Sequence, residues 1–196
     1  MQNGQNENVS RSEAKAVKSW RNSLVKKMCL IGVFTALMCV LAPLSIPLDP
    51  VAITLATLAL YAIGAILDWK IASFPILIYL LLGLVGLPVF SKFQAGPSVL
   101  FGPSGGFLIG YVPCVFVESL LISKFKNHKW IYPVAMILGT VLLYAVGTIW
   151  FVYYLNREWG AALMACVVPF LPGDAVKIAI ASIVGIRVRP FADKHE

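Results

Sequence analysis

Charged residues are scarce in this chain of 196 residues: they make up only 13% of it, whereas hydrophobic residues make up 59%. The mean hydropathy is accordingly high, at +0.83. A water-soluble domain of this size could not cover its surface with so few polar side chains. The composition therefore excludes a soluble globular protein and predicts an all-α integral membrane protein embedded in a lipid bilayer.

Several chemical signatures are also missing. The sequence has no GxxxxGK[ST] phosphate loop, no HExxH pair and no acidic cluster for a divalent metal. Its four cysteines fall inside apolar stretches, in neither paired nor metal-ligand spacing, and its two histidines lie in polar segments. We therefore expect no metal site, no cofactor and no catalytic centre, and we expect that the chain cannot use ATP without a partner.

Long hydrophobic runs are what the sequence does have, and they predict six transmembrane spans. One membrane domain is expected over residues 23–190, between a polar cytoplasmic tail at 1–22 and a short tail at 191–196. The spans cover about 24–44, 51–67, 71–87, 105–123 and 130–154, and a final stretch that is broken by a proline-rich element between 159–168 and 174–186. A helix over 173–186 would be only about 21 Å long, so we expect its N-terminus to lie below the membrane surface.

The basic residues predict the topology. If the N-terminus is inside, thirteen lysines and arginines fall in inside segments, whereas the outside loops hold only Lys92 and Arg157. The positive-inside rule then predicts cytoplasmic N- and C-termini in a multi-pass protein of a bacterial inner or plasma membrane. This asymmetry explains the net charge of +7 without a nucleic-acid partner.

The remaining basic residue, Lys177, forms the strongest candidate site together with Asp174. The two follow Pro172 and Gly173 between apolar stretches, where an ionisable residue costs roughly 2.5 to 3.5 kcal/mol on insertion scales. Their spacing of three residues puts them on one helix face. They would offer a carboxylate acceptor and an ammonium donor to a ligand with adjacent N–H and C=O groups, such as a cyclic urea or amide. The spacing leaves open the alternative that they only neutralise each other.

The sequence offers further candidate binding residues in the predicted outer loop and within the spans. Ser104, Gly105 and Gly106 open span four, where glycines and free helix N–H groups could bind an anionic group, although any loop-to-helix transition would need the same residues. Other polar side chains that could line a pocket are Gln94 in the outer loop, Tyr79 in span three and Tyr144 in span five. Tyr144 lies near the middle of its span, where an unpaired hydroxyl would be costly.

Small residues also form one face of span one. Gly32 and Ala36 are four residues apart, and Cys39 continues the same side. Such spacing lets another helix approach closely in lipid. The partner could be another span of this chain or a second protein.

Three motifs together resemble one known family. They are Gly86-Leu87-Pro88-Val89-Phe90 at the end of span three, Gly102-Pro103-Ser104-Gly105-Gly106 at the start of span four, and Pro169-Phe170-Leu171-Pro172-Gly173-Asp174 with Lys177 at the final span. In this order they are similar to the BioY family of biotin-specific substrate-binding subunits, the S components of energy-coupling factor (ECF) transporters.

The resemblance implies a six-helix S component that captures biotin from outside. It implies that Asp174 and Lys177 hold the ureido head of biotin, that Gln94 is a further amide partner, and that the glycine-rich start of span four shapes the pocket. It also implies a transmembrane coupling subunit docked on the small-residue face of span one, and two cytoplasmic ATPases that energise import.

Three other functions compete with this one. The chain could bind another vitamin, or could act as a solitary carrier without ATPases. An intramembrane enzyme using Asp174 as acid or base is disfavoured, because the sequence shows no second catalytic acid, nucleophile or metal set. A membrane scaffold would bind no small molecule.

Overall fold

The computed structural model of the chain describes residues 24–46, 53–125 and 128–193. The predicted N-terminal tail, the tip of the first connection and the last three residues lie outside the described residues. The described part is a helical bundle with one small antiparallel hairpin. Its elements are α1 Leu24–Leu41, β1 Ser45–Ile46, β2 Ile53–Thr54, α2 Ala56–Ile66, α3 Ser73–Val85, a 3-10 turn Ser91–Phe93, α4 Pro97–Leu100, α5 Gly105–Lys124, α6 Ile131–Leu155, α7 Trp159–Cys166 and α8 Leu171–Asp193.

Three of the described helices, α1, α5 and α6, are long and apolar enough to cross a membrane. The α7–α8 pair, bent by 47° at its break, makes a fourth if it is counted as one broken span. The helices α2 and α3 are apolar but shorter, with 11 and 13 residues. The described chain is therefore an all-helical membrane protein with three to four clear spans.

The end of α3 shows how the loop motifs shape the fold. Gly86 has φ 112°, in the left-handed region that glycine adopts without strain, and the Leu87 N–H donates to Leu82 O at 3.1 Å. The chain then turns back, so that the buried Phe90 ring stacks edge-on against Tyr79 with centroids 5.6 Å apart. This packing fixes the start of the predicted outer loop.

The final helix differs from its sequence-based prediction. It runs from Leu171 to Asp193, 23 residues or about 35 Å, so the expected short helix over 173–186 is wrong. The C-terminal part of the helix is held by Arg189, which is only 2% exposed and donates to Ala65 O at 3.1 Å and to Asp68 Oδ1 at 3.3 Å. Because the helix is long, its length no longer sets the depth of its N-terminus.

Glycines bring α5 and α6 close together. A Cβ on Gly106 would collide with Cβ of Trp150, and a Cβ on Gly147 would collide with the ring of Phe107. The Trp150 indole in turn donates to Gly102 O at 3.0 Å. In a bilayer, where apolar burial does not drive helix association, such close contact is the main stabilising interaction.

We therefore expect Gly106→Ala to lower the free energy of unfolding by about 1 to 3 kcal/mol, because the added methyl must push α6 away from α5. Thermal unfolding of the detergent-solubilised protein would measure the change. Gly160→Ala in α7 is the matched control, since a Cβ there has no neighbour within 4 Å. Equal melting temperatures for the two variants would contradict this account of the helix contact.

Candidate functional site

Asp174 is the centre of a buried hydrogen-bond network near the start of α8. Its carboxylate is only 3% exposed. Oδ2 accepts a hydrogen bond from the Tyr144 hydroxyl at 2.6 Å, and Oδ1 accepts one from the Thr57 hydroxyl at 3.0 Å. Lys177 Nζ lies 3.0 Å from the same Oδ1 and forms a salt bridge with it. Four side chains from three helices therefore meet at one carboxylate.

Lys177 is equally well satisfied, although only 8% of it is exposed. Besides Asp174, its ammonium donates to Thr54 O at 2.8 Å and to Thr57 Oγ1 at 2.9 Å. A lysine ammonium has three N–H donors, and each has an acceptor here. The pair is thus a preorganised acceptor and donor, held side by side out of water.

Local structure explains why these groups converge. Pro172 occupies the first turn of α8, and the Asp174 N–H donates to Phe170 O at 2.8 Å, so Asp174 sits where a helix favours an acid. The hairpin pairs Ser45 with Thr54, and this pairing carries the Thr54 carbonyl to the ammonium. Thr57 follows one turn later on α2, which packs along α8.

The network faces a small cavity of about 40 Å³. Its lining includes the four side chains of the network and Thr54. The rest of its lining is largely aromatic and consists of Phe107, Tyr111, Leu143 and Phe170. The cavity can therefore receive a group that is polar at one end and apolar in its body.

Of the predicted site residues, the structure brings Asp174, Lys177 and Tyr144 together. Tyr79 is buried against Phe90 and does not line this cavity. Gln94 is exposed, and its main chain closes the outer turn through the Phe90 N–H, which donates to Gln94 O at 3.0 Å.

The glycine-rich motif contributes packing in this structure. A Cβ on Gly105 would collide with Leu100 O, and one on Gly106 with Trp150, so both positions serve close contacts between elements. Ser104 is half-buried, and its carbonyl accepts from the Phe107 N–H at 3.1 Å. The motif thereby positions Phe107, which does line the cavity.

Two site residues have no sequence signal that would have found them. Thr54 and Thr57 are small hydroxyl residues in an apolar run, where threonine ordinarily packs or bonds its own backbone. Their polar groups acquire partners in the network only because β2, α2 and α8 converge. Within the described residues, no group of three histidine, cysteine or acidic side chains is placed to hold a metal ion.

The small-residue face of α1 borders a separate apolar groove of about 490 Å³. Its floor is α1, with Gly32, Ala36 and Cys39, and its wall is α3. The residues that complete it are Met28, Ile31, Thr35, Phe74, Ile78 and Leu82. Gly32 and Ala36 are exposed, so the groove is open to a partner from outside the bundle.

Comparisons with known proteins point to one family. A biotin transporter BioY of Thermotoga maritima is 34% identical over 165 residues, which cover 84% of this chain and 96% of the relative. The biotin transporter BioY2 of Lactococcus lactis is 33% identical over 166 residues, covering 85% and 91%. The fold matches the crystal structure of the S-component for biotin from an ECF-type ABC transporter, with a TM-score of 0.81 at 28% identity, covering 86% of this chain and 93% of that one.

The agreement extends over nearly the whole sequence. Residues 10–194 match the BioY family as a single unit. The matched region contains α1 to α8, the network around Asp174 and the groove beside α1. The chain therefore belongs to the BioY family.

Proposed function

We propose that this chain captures biotin on the outer side of the membrane and supports its import as the S component of an ECF-type transporter. One observation carries the proposal: a buried carboxylate and a buried ammonium lie 3.0 Å apart in the lining of a cavity whose remaining residues are largely aromatic. A cyclic urea is the ligand group that uses both at once. Relatives with 33–34% identity are named as biotin transporters.

In the complex, a ureido N–H would donate to Asp174, and the ureido carbonyl would accept from Lys177 in place of one of the three acceptors that the ammonium has now. Both are charge-assisted hydrogen bonds, which contribute about 1.5 to 3 kcal/mol each. The Tyr144 hydroxyl and Thr57 hold the carboxylate in place, so little side-chain freedom is lost on binding. The fused rings of biotin would lie against Phe107 and Phe170.

Binding must enlarge the cavity, because about 40 Å³ holds on the order of one water, whereas ligand pockets measure about 300 to 1,000 Å³. The aromatic part of the lining is the part that can move, since the polar part is fixed by five hydrogen bonds. We propose that Phe107 and Phe170 turn aside as the ring system enters.

The topology and partners form the second half of the proposal. We propose six spans, α1, α2, α3, α5, α6 and the α7–α8 pair, with both termini in the cytoplasm. The groove beside α1 would receive a helix of the transmembrane coupling subunit, because small residues at positions 32 and 36 allow close approach in lipid. Two cytoplasmic ATPases on that subunit would supply the energy.

Equilibrium binding of radiolabelled biotin to the purified chain, without nucleotide or other subunits, tests the proposed function. We expect saturable binding of about one biotin per chain, with no competition by thiamine or riboflavin, which lack the cyclic urea. If another vitamin competed more strongly than unlabelled biotin, that vitamin would be the ligand. Conversion of biotin into a product during the incubation would indicate an enzyme instead.

The groove beside α1 makes a separate prediction about docking. Ala36→Leu should abolish co-purification with the coupling subunit, because the larger side chain fills the space between α1 and α3 that the partner helix needs. Biotin binding by the isolated chain should stay unchanged. Val33→Leu is the matched control, since Val33 is 64% exposed on the same helix and does not line the groove. Equal co-purification of both variants would assign docking to another surface.

A further inference from the structure

One ionisable residue of the bundle core belongs to neither site. Glu118 lies in the C-terminal half of α5, is 0% exposed, and neither of its carboxyl oxygens has a hydrogen-bond partner among the described residues. An ionised carboxylate in such a place is strongly disfavoured, whereas the protonated acid is tolerated. The sequence pattern that singled out Asp174 and Lys177 passed over Glu118, although it is the acid most deeply enclosed in an apolar span.

The surrounding helices leave room for this carboxyl and little else. A Cβ on Gly64 of α2 would lie 2.5 Å from the Glu118 Cδ, so α2 rests directly on the carboxyl group. On the opposite side, a Cβ on Gly139 of α6 would lie 3.7 Å from the Glu118 Cβ. Glu118 thus fills the junction of α2, α5 and α6, and glycine is needed on α2 for the junction to close.

Two pairs of polar side chains on α2 and α6 lie along the path from this junction to the cavity. One helical turn from Gly64 and next to Gly139, the hydroxyls of Tyr61 and Thr140 lie 2.6 Å apart and join α2 to α6. One further turn along the same two helices brings Thr57 and Tyr144, the two residues that donate to Asp174. Gly139 and Tyr144 are five residues apart, or about 7.5 Å along α6.

We propose that Glu118 is a proton-binding site and that its proton holds the junction of α2, α5 and α6 closed. Loss of the proton would leave a carboxylate that must draw in water, and α2 would separate from α5 and α6. Thr57 would then shift relative to Asp174 and Lys177, which it bridges. Proton binding at Glu118 and biotin binding at Asp174 therefore favour each other, and this linkage rests on the proposed function.

Among the described residues, other ionisable groups also lie on the elements that pack around the junction. They are Cys114 one turn away on α5, Tyr61 on α2, Tyr132 on α6, and the ion pair of Asp68 with Arg189, which lies near the C-terminal ends of α2 and α8. Arg189 contacts Ala65 O and Asp68, so its charge is directed at the C-terminal end of α2. Removing the carboxyl of Glu118 alone therefore isolates its contribution to any pH dependence.

Infrared spectroscopy tests whether Glu118 is protonated. The C=O stretch of a protonated carboxylic acid should be present near neutral pH in the wild-type protein and in Glu158→Gln, a control glutamate that is exposed. This band should be absent in Glu118→Gln. In the wild type, ¹³C-labelling of glutamate should shift the band, and this measurement needs no variant. If the wild type shows no such band, Glu118 is an ionised carboxylate solvated by internal water, and the proposal is wrong.

Biotin titrations at a series of pH values from about 5 to about 9 test the linkage between proton binding at Glu118 and biotin binding. The wild-type Kd should rise with pH by about 5- to 150-fold more than that of Glu118→Gln, the range of typical couplings between sites. Identical pH profiles of the two proteins would overturn the linkage. If biotin does not bind at all while the protonated band is present, the proposed function fails and the proton site stands.

Discussion

Replacing Asp174 by asparagine should weaken biotin binding by about 2 to 5 kcal/mol, or roughly 30- to 5,000-fold in Kd. The asparagine keeps the shape of the side chain but replaces one acceptor oxygen by an N–H donor and removes the negative charge. It can no longer accept from Tyr144, Thr57, Lys177 and a ureido N–H together. Isothermal titration or radioligand binding on the purified variant would measure the loss.

Asp68→Asn is the matched control for this change. Asp68 also pairs with a basic residue, Arg189, at 3.3 Å, but near the C-terminal ends of α2 and α8. The same chemical replacement there should leave the biotin Kd within about twofold of the wild type, since distant sites act independently. If both variants bind equally well, Asp174 only neutralises Lys177 and does not contact the ligand.

The second large effect is expected for Lys177→Met, which should reduce both stability and affinity. Methionine keeps the length of the side chain and removes the charge, so the Asp174 carboxylate is left buried and uncompensated. Removing one partner of a buried ion pair costs about 3 to 5 kcal/mol of folding free energy. Biotin affinity should fall in addition, because the donor to the ureido carbonyl is lost.

The double variant Asp174→Asn/Lys177→Met separates the two contributions. It removes both charges, so its stability should recover toward the wild-type value, whereas its biotin affinity should stay lost. Thermal unfolding and ligand binding measured on the same preparations give both quantities. A double variant that regains affinity together with stability would mean that the ion pair acts only through the fold.

The sequence alone predicts the ion pair because charge inside an apolar run is a strong signal. The same reasoning applies to Tyr144, a hydroxyl in the middle of a span, and the structure places it 2.6 Å from Asp174. Thr54 and Thr57 could not be found in this way, because their hydroxyls acquire partners only when β2, α2 and α8 converge. Pairing between distant elements carries no local periodicity.

Helix boundaries also fall into two groups: those that the sequence predicts and those that depend on contacts between distant elements. The apolar runs over 105–123 and 130–154 are close to the observed α5 and α6, since hydrophobicity determines where a chain can cross lipid. The end of α8 could not be predicted, because its extension depends on Arg189 reaching Ala65 and Asp68 of another element. That the glycines of α5 approach a ligand stays a prediction, whereas the close approach of Gly106 to Trp150 is visible only in the structure.

The central claim is that the cavity beside Asp174 and Lys177 is a biotin site, and the small molecule that the protein carries tests it most directly. Native mass spectrometry of the chain purified from cells supplied with biotin should show one unmodified biotin per chain. The adduct should be missing from Asp174→Asn and present in Asp68→Asn. A different vitamin bound to the wild type, or biotin retained equally by both variants, would contradict the account.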